Sequence, residues 1–210
     1  MRASIHEECR PGSGLTLDVR RATLTVLRAV VPAMFKAQQP WALIGSTASV
    51  LQGLEGYRPP DIDLATTSEG AYIMEGALCE AAVTLRPVAH SSSGPYTSDF
   101  GIFEVDGVKV EVMGDLIIAR DDGHIALTEH WSKWSDKVRV LHFEDQHVPV
   151  APLEWQLVAN ALLERPERVE GVAQHLLERG YDAAYLDALL ADEGLGERTV
   201  RYSREALHLA

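Results

Sequence analysis

Cysteine is scarce in this chain, and long apolar runs are absent from it. The only cysteines among its 210 residues are Cys9 and Cys79, so a disulfide framework like those of small secreted proteins is not expected. No stretch approaches the roughly 18 consecutive apolar residues that cross a bilayer, and the N-terminus lacks an apolar signal core. These absences predict a protein without a membrane partner that works in a reducing cytoplasm.

Positive charge is also in short supply. The chain has 19 Lys and Arg against 31 Asp and Glu, which gives a formal net charge of −12. Such a surface repels nucleic acid unless a local basic groove or bound cations offset it. The composition is otherwise that of a soluble globular chain, long enough for one large domain or two small ones. A small-molecule or protein substrate is therefore favoured over RNA.

Several familiar catalytic motifs are missing. The sequence contains neither a Walker phosphate loop nor a Gly-X-Gly-X-X-Gly fingerprint, and its histidines and cysteines do not have the spacing of a zinc site. The serines at 91–93 are not set in a nucleophile elbow. We interpret Ala89–Thr97, rich in Ser with a Gly and a Pro, as a flexible loop well placed to cover a site.

The first half of the chain alternates helical and strand patterns. Apolar residues recur at helical spacing from Leu17, where Asp18 could cap the helix and Pro32 should kink or split it. The elements expected next are a strand over Trp41–Ile44, a turn at Gly45, a Ser46-capped helix over 47–52, a strand over Asp61–Ala65, a Ser68-capped helix to about Ala82 and a strand over Val83–Val88.

The second half begins with hairpins and ends in helices. Asp106-Gly107 lies between two alternating segments, which is a strong hairpin signal, and Glu144-Asp145 marks a second hairpin. Trp131 and Trp134 could stack on a ring or belong to the core. Candidate helices follow at 153–164, 166–179, 182–192 and 197–208. The predicted organisation is a flexible tail over 1–14, an α/β domain over 15–151 and a C-terminal helical region over 152–210.

Two carboxylates stand two residues apart on a predicted strand. Period-two alternation places Asp61 and Asp63 on one face, with Cα atoms roughly 7 Å apart, while Ile62 and Leu64 point into the core. Carboxylates this close repel each other unless a cation lies between them, and their hard oxygens suit Mg²⁺. Glu111, on another predicted strand, is a suitable third ligand that would let two metal ions share the site.

Gly45 and Ser46 stand where a strand meets a helix. Such a turn offers free backbone N–H groups and a hydroxyl to a phosphate, and the glycine lets the backbone approach closely. An ordinary capped helix is the alternative. Arg58, just before two prolines, could neutralise phosphate charge or pair with a surface acid.

In this order the motifs resemble the signature of the polymerase-beta-like nucleotidyltransferases. That family's pattern is an apolar strand, Gly-Ser or Gly-Gly, a helix, an Asp-X-Asp or Asp-X-Glu strand, and a later acid between apolar residues. The matching segments here are Ile44-Gly45-Ser46, Asp61-Ile62-Asp63-Leu64 and Val110-Glu111-Val112. A small, stand-alone member would have an α/β (α+β) fold: a mixed β-sheet nucleotidyltransferase core with flanking helices and a C-terminal helical region.

The resemblance also implies a chemistry. A nucleoside monophosphate would pass from an NTP to an acceptor hydroxyl with two Mg²⁺ ions. Gly45 and Ser46 would hold the β- and γ-phosphates, Asp61 and Asp63 would ligate the metals, and Glu111 would ligate one metal and act as the base. The acceptor could be an antibiotic-like small molecule, a protein side chain or an RNA end. A homodimer or a helical protein partner stays open.

The third acid and the helical region depart from the family pattern. Glu stands at 111 where Asp is commoner, which lengthens the reach of that carboxylate. Arg165 and Arg168 occupy the region of the Arg-X-Lys-Asp-like run that many small members carry. They could reach the triphosphate or be surface charges, and the second reading is slightly favoured.

Other functions stay open. An aspartate-nucleophile phosphatase would use Asp61, but that class has an apolar strand directly before its nucleophile, whereas Tyr57–Pro60 precede this one. A sugar-nucleotide transferase is a further possibility, for which the chain is short. The strongest alternative is a nucleotide-binding or toxin–antitoxin-like module with the same fold and little or no turnover.

Overall fold

The computed structural model describes residues 15–127 and 137–209. The expected tail over residues 1–14 and the two tryptophans Trp131 and Trp134 lie outside these ranges. In the described part of the chain, no helix combines the length and apolar character that a membrane crossing requires.

Apart from one strand, β6 (Gly123–Ala126), which the residue patterns did not predict, helices and strands follow one another in the predicted order. The helices are α1 (Leu17–Ala37), α2 (Gly45–Leu51), α3 (Ser68–Leu78), α4 (Leu153–Leu162), α5 (Pro166–Arg179), α6 (Ala183–Leu190) and α7 (Glu197–Ala206). The strands are β1 (Trp41–Ile44), β2 (Asp61–Thr66), β3 (Val83–Ser93), β4 (Tyr96–Val105), β5 (Val108–Arg120), β6 (Gly123–Ala126), β7 (Arg139–Phe143) and β8 (Gln146–Val150).

These strands form one mixed sheet. Its order is β3-β4-β5-β2-β1-β8-β7, and β6 pairs with the far end of β5. β2 runs parallel to β5 and antiparallel to β1, whereas β1 runs parallel to β8. Both predicted hairpins are present, β4–β5 and β7–β8. The predicted α/β class with a mixed sheet and flanking helices is confirmed.

The sheet carries a separate hydrophobic core on each face. Ile62 and Leu64 of β2, with Val110 of β5, face the core that α1 and α3 cover. Ala65 of β2 and Met113 of β5 point to the opposite face of the sheet and belong to the core that α4–α7 cover. Alternation along each strand therefore sends the intervening side chains towards the C-terminal helices. The division into domains over 15–151 and 152–210 stays a prediction.

The long first helix differs from its prediction in two ways. It continues through Pro32 without a split, because that proline is exposed and the carbonyl that loses its partner on this side can bond to water. Thr16 rather than Asp18 caps the helix, since its side chain accepts from the Val19 backbone N–H.

The predicted starts of two other helices were also wrong, by one residue or more. α2 begins at Gly45, with Ile44 in the capping position and no side-chain cap, so Ser46 lies inside the helix. Thr67, not Ser68, caps α3, which ends at Leu78 rather than near Ala82. In α3, it is Thr67, the residue before Ser68, whose backbone has the extended conformation that a cap requires.

The predicted covering loop over Ala89–Thr97 is wrong. β3 and β4 pair as far as Ser93 and Tyr96, and the chain reverses at Gly94, whose φ is +56°. The serine-rich run is thus strand, because cross-strand pairing with a neighbour outweighs the weak local preference of Ser. After β8 the four predicted helices are present; α5 has the predicted limits, and the other three are slightly shorter than predicted.

Candidate active site

Parallel pairing of β2 with β5 brings the three predicted acids together. Asp63 is the register partner of Glu111, and Asp61 is the partner of Lys109. Neighbouring strands lie about 4.8 Å apart, so these side chains leave the sheet side by side. Glu111, nearly fifty positions along the chain, therefore lies next to the Asp61–Asp63 pair.

The sheet holds these carboxylates at fixed positions. Ile62 and Val110, on the opposite face, are 0% exposed and anchor β2 and β5 in the core. Asp61 and Glu111 keep about a fifth of their side-chain surface in contact with solvent, at 20% and 22%. The acids are thus partly desolvated yet open to a ligand from the side of the C-terminal helices.

Crowding of the acids changes their ionisation. Burial, with the nearby charges of Asp61 and Glu111, raises the pKa of Asp63 to about 8. Burial also raises the pKa of Asp61, although Lys109 opposes this shift. Desolvation and like-charge repulsion both favour the neutral acid. The cluster consequently needs positive charge before all three carboxylates can ionise at neutral pH.

Lys109 supplies part of that charge. Its Nζ lies 2.7 Å from Glu111 Oε1 and 3.7 Å from Asp61 Oδ2. Lys109 was not among the candidate residues predicted from the sequence, although the two-residue spacing between Lys109 and Glu111 indicated that the two side chains share a strand face. The contact of Lys109 with Asp61 follows only from the pairing of β5 with β2.

Gly45 lies directly beside the acids. Its φ is +67°, and a Cβ at this position would be 2.2 Å from Asp63 Oδ2. The close approach therefore excludes a side chain. Thr47 ties this segment to β2, since its hydroxyl donates to the Asp61 carbonyl over 2.7 Å. Ser46, only 6% exposed, lines the same cavity.

The three arginines named above differ in their position relative to the cavity. Arg58 is exposed and is not among the described residues that line the cavity. Arg165 and Arg168, favoured above as surface charges, both line it. The Arg165 guanidinium donates to Tyr96 Oη over 2.7 Å, and Arg168 Cζ lies 4.8 Å from the centroid of the Tyr57 ring. The start of α5 thus faces the carboxylates across the cavity.

A cavity of about 530 Å³ lies over the acids, within the usual size of small-molecule sites. Its floor is β2 and β5, and α4 and α5 form the opposite wall. Aromatic and apolar side chains share the lining with polar ones; the aromatic and apolar ones are Tyr57, Tyr96, Phe100, Met113, Leu116, Ile118, Trp155, Leu163 and Val172. Charged groups on the floor and flat rings on the walls suit a ligand with a phosphate part and a ring part.

The acids do not form a ready-made metal centre. Across residues 15–127 and 137–209, no group of three or more His, Cys, Asp or Glu side chains is arranged to hold a metal ion. The ion pair between Lys109 and Glu111 directs one of the carboxylates to the ammonium.

Comparison with known proteins points to one family. The family model described as aminoglycoside-2″-adenylyltransferase matches residues 26–194. A candidate nucleotidyltransferase from Thermotoga maritima is 30% identical, and the match covers 76% of this chain and 96% of that one with a TM-score of 0.58. No curated protein matches the chain.

The antibiotic-resistance factor ANT(2″)-Ia is similar at lower identity. Its solution structure is 14% identical with a TM-score of 0.49, over 90% of this chain and 95% of that one. Its crystal structure in complex with adenylyl-2″-tobramycin is 12% identical with a TM-score of 0.46, over 80% and 94%. The family model covers most of the chain, and the described sheet and helices match those of the Thermotoga maritima protein. The chain belongs to the aminoglycoside-2″-adenylyltransferase family and is a nucleotidyltransferase of the polymerase-beta-like type.

Proposed function

We propose that this protein uses Mg²⁺ to transfer a nucleoside monophosphate, with ATP as the first donor to test, onto a hydroxyl of a small-molecule acceptor. The observation that carries the proposal is the β2–β5 register, which sets Asp63 against Glu111 with Asp61 one pleat away. Strands distant in sequence thereby present three carboxylates to a single cavity.

The chemistry of the donor set supports Mg²⁺. Asp61, Asp63 and Glu111 supply hard oxygens, the ligand type that this ion prefers. The site already attracts a cation, since the Lys109 ammonium contacts Glu111 and approaches Asp61. Once Lys109 moves aside, both carboxylates are free to coordinate. Bound Mg²⁺ would polarise the phosphates and offset the charge that develops in transfer.

The remaining steps fall to residues around the cavity. Gly45 and Ser46 lie where they can donate to phosphate oxygens, and Arg165 and Arg168 offer positive charge from the opposite wall. The acceptor hydroxyl would attack the α-phosphorus in line and form a new P–O bond while the bond to pyrophosphate breaks. Glu111 would take the hydroxyl proton. Holding both substrates in this geometry is the main catalytic contribution of the protein.

A small molecule is the acceptor that the comparisons favour. The family is named for adenylyl transfer to an aminoglycoside, and the ANT(2″)-Ia complex contains an adenylylated tobramycin. We extend only the substrate class to this chain, a polyhydroxylated small molecule of the antibiotic type. The acidic composition agrees with this choice, because it disfavours RNA.

The test is transfer of label from ATP marked at the α-phosphate. Wild-type protein, Mg²⁺ and a small-molecule extract should yield a labelled product, and the Asp61→Asn/Asp63→Asn variant should not. Asp187→Asn is the matched control, since it removes a carboxylate that is 63% exposed on α6, and it should transfer normally. Equal binding of Mg²⁺-ATP to wild type and the double variant would refute the metal site. Carboxylate-dependent binding without transfer would favour the nucleotide-binding module instead.

A further inference from the structure

Lys109 occupies the place between two of the proposed metal ligands. Its Nζ contacts Glu111 Oε1 at 2.7 Å and lies 3.7 Å from Asp61 Oδ2. Asp61 and Glu111 are two of the residues that would hold a divalent ion. The ammonium and a metal ion would compete for these carboxylates, because two cations repel each other at such short range.

The fold directs Lys109 towards the acids. The register places Lys109 beside Asp61 on the neighbouring strand, and two-residue alternation puts it on the same face as Glu111. A lysine on an exposed strand end usually extends into water. Here 46% of the side chain is exposed while its ammonium is held by the site.

The contact with Lys109 has a consequence for the metal-free protein. Asp61 and Glu111 lie close together on one face of the sheet, where like charges repel each other, and the Lys109 ammonium offsets part of that repulsion. When a divalent ion arrives, the same contact must break before Glu111 can coordinate. The stabilisation that Lys109 gives to the carboxylates in the absence of metal is therefore subtracted from the free energy of metal binding.

We propose that Lys109 is an internal counter-ion that stabilises the metal-free site and must be displaced before the metal binds. It is a positioning residue, since it acts through Asp61 and Glu111. The inference deepens the proposed function and rests on the metal site proposed there. It predicts that loss of the ammonium tightens metal binding and weakens the metal-free fold.

Lys109→Met tests this, because it removes the charge and keeps a similar apolar stem. Lys137→Met is the matched control, since Lys137 pairs with Asp182 away from the cavity. Isothermal titration with Mn²⁺ alone should show a dissociation constant about tenfold lower for Lys109→Met than for wild type. The metal-free melting temperature of Lys109→Met should fall. Lys137→Met should leave the Mn²⁺ constant unchanged.

Lys109→Gln is a second variant, needed in case the Met side chain itself causes a folding defect. It should also bind Mn²⁺ more tightly than wild type. Unchanged or weaker Mn²⁺ binding in whichever variant folds would overturn the role of Lys109. Failure of both variants to fold in the presence of Mn²⁺ would overturn it too, because the metal should then replace the lost charge. If wild type and the Asp61→Asn/Asp63→Asn variant bind Mn²⁺ equally, the proposed function fails instead.

Discussion

At Gly45 the backbone passes too close to a carboxylate for any side chain. A methyl group there would lie 2.2 Å from Asp63 Oδ2, and φ is +67°. Gly107 offers a matched comparison, because its φ is +78° and an added Cβ would meet nothing within 4 Å. The two sites share backbone strain and differ in the clash.

Gly45→Ala should therefore destabilise the protein more than Gly107→Ala. We expect about 1 kcal/mol for the positive φ alone at Gly107, and about 3 kcal/mol or more at Gly45, where β2 or the Asp63 side chain must also shift. Urea unfolding of both variants measures the difference. Equal losses would show that the close approach to Asp63 is not rigid.

Asp63 should make the metal-free protein lose stability as pH rises. Its pKa in the folded state is about 8, against about 4 in the unfolded chain. Between these values the folded state keeps a proton that the unfolded state has lost, so the free energy of unfolding falls with pH, by up to about 1.4 kcal/mol per unit. Denaturant unfolding from pH 4 to pH 8 should show a steeper fall for wild type than for Asp63→Asn. Parallel curves would contradict this.

Among the elements, α5 brings to the site what local sequence could not reveal. Arg165 and Arg168 stand at its start, and their contacts with Tyr96 and Tyr57 direct them over the cavity. Their position depends on how α5 packs across the sheet. A residue pattern shows only that they lie near a helix end, which is why they were interpreted as surface charges.

The start of α5 should matter for nucleotide binding. Arg165→Ala and Arg168→Ala should each weaken ATP affinity by about tenfold, since each removes a positive charge that faces the phosphates. Arg179→Ala, at the exposed end of the same helix, should not change it. Titration calorimetry with a non-hydrolysable ATP analogue and Mg²⁺ provides the readout. If all three variants bind the ATP analogue as tightly as wild type, the start of α5 is not part of the nucleotide-binding site.

Strands with clear alternation were predictable, and their order in the sheet was not. The Asp61 strand and the Asp106-Gly107 hairpin follow from local residue types. The adjacency of β2 and β5 does not, because β3 and β4 intervene in the chain and such pairing depends on non-local contacts. Ser91–Ser93 became strand for the same reason. The candidate acids could thus be named from sequence, whereas Lys109 and the cavity walls required the register.

Across the whole molecule, the C-terminal helices pack on one face of the sheet, over β1, β2, β5 and β6. Leu116 and Ile118 of β5 share a core with Leu157, Leu162 and Leu186 of the helical region. Apolar burial on that face stabilises both parts together.

A chain ending at Ala151 should therefore fail to fold cooperatively. Its sheet would expose a large apolar face to water, which favours aggregation. Circular dichroism and urea unfolding of this fragment, compared with the full chain, measure the effect. A soluble fragment with a sharp unfolding transition would instead show that residues 15–151 form an independent domain.

In the proposed mechanism, Asp61, Asp63 and Glu111 hold the metal on which nucleotidyl transfer depends. A crystal structure with Mn²⁺ and an ATP analogue that cannot be cleaved between the α- and β-phosphates tests it most directly. We predict that anomalous density will place Mn²⁺ within bonding distance of all three carboxylates. The α-phosphorus should lie next to the metal, and Lys109 should no longer contact Glu111. Nucleotide bound elsewhere, or Mn²⁺ without these ligands, would contradict the account.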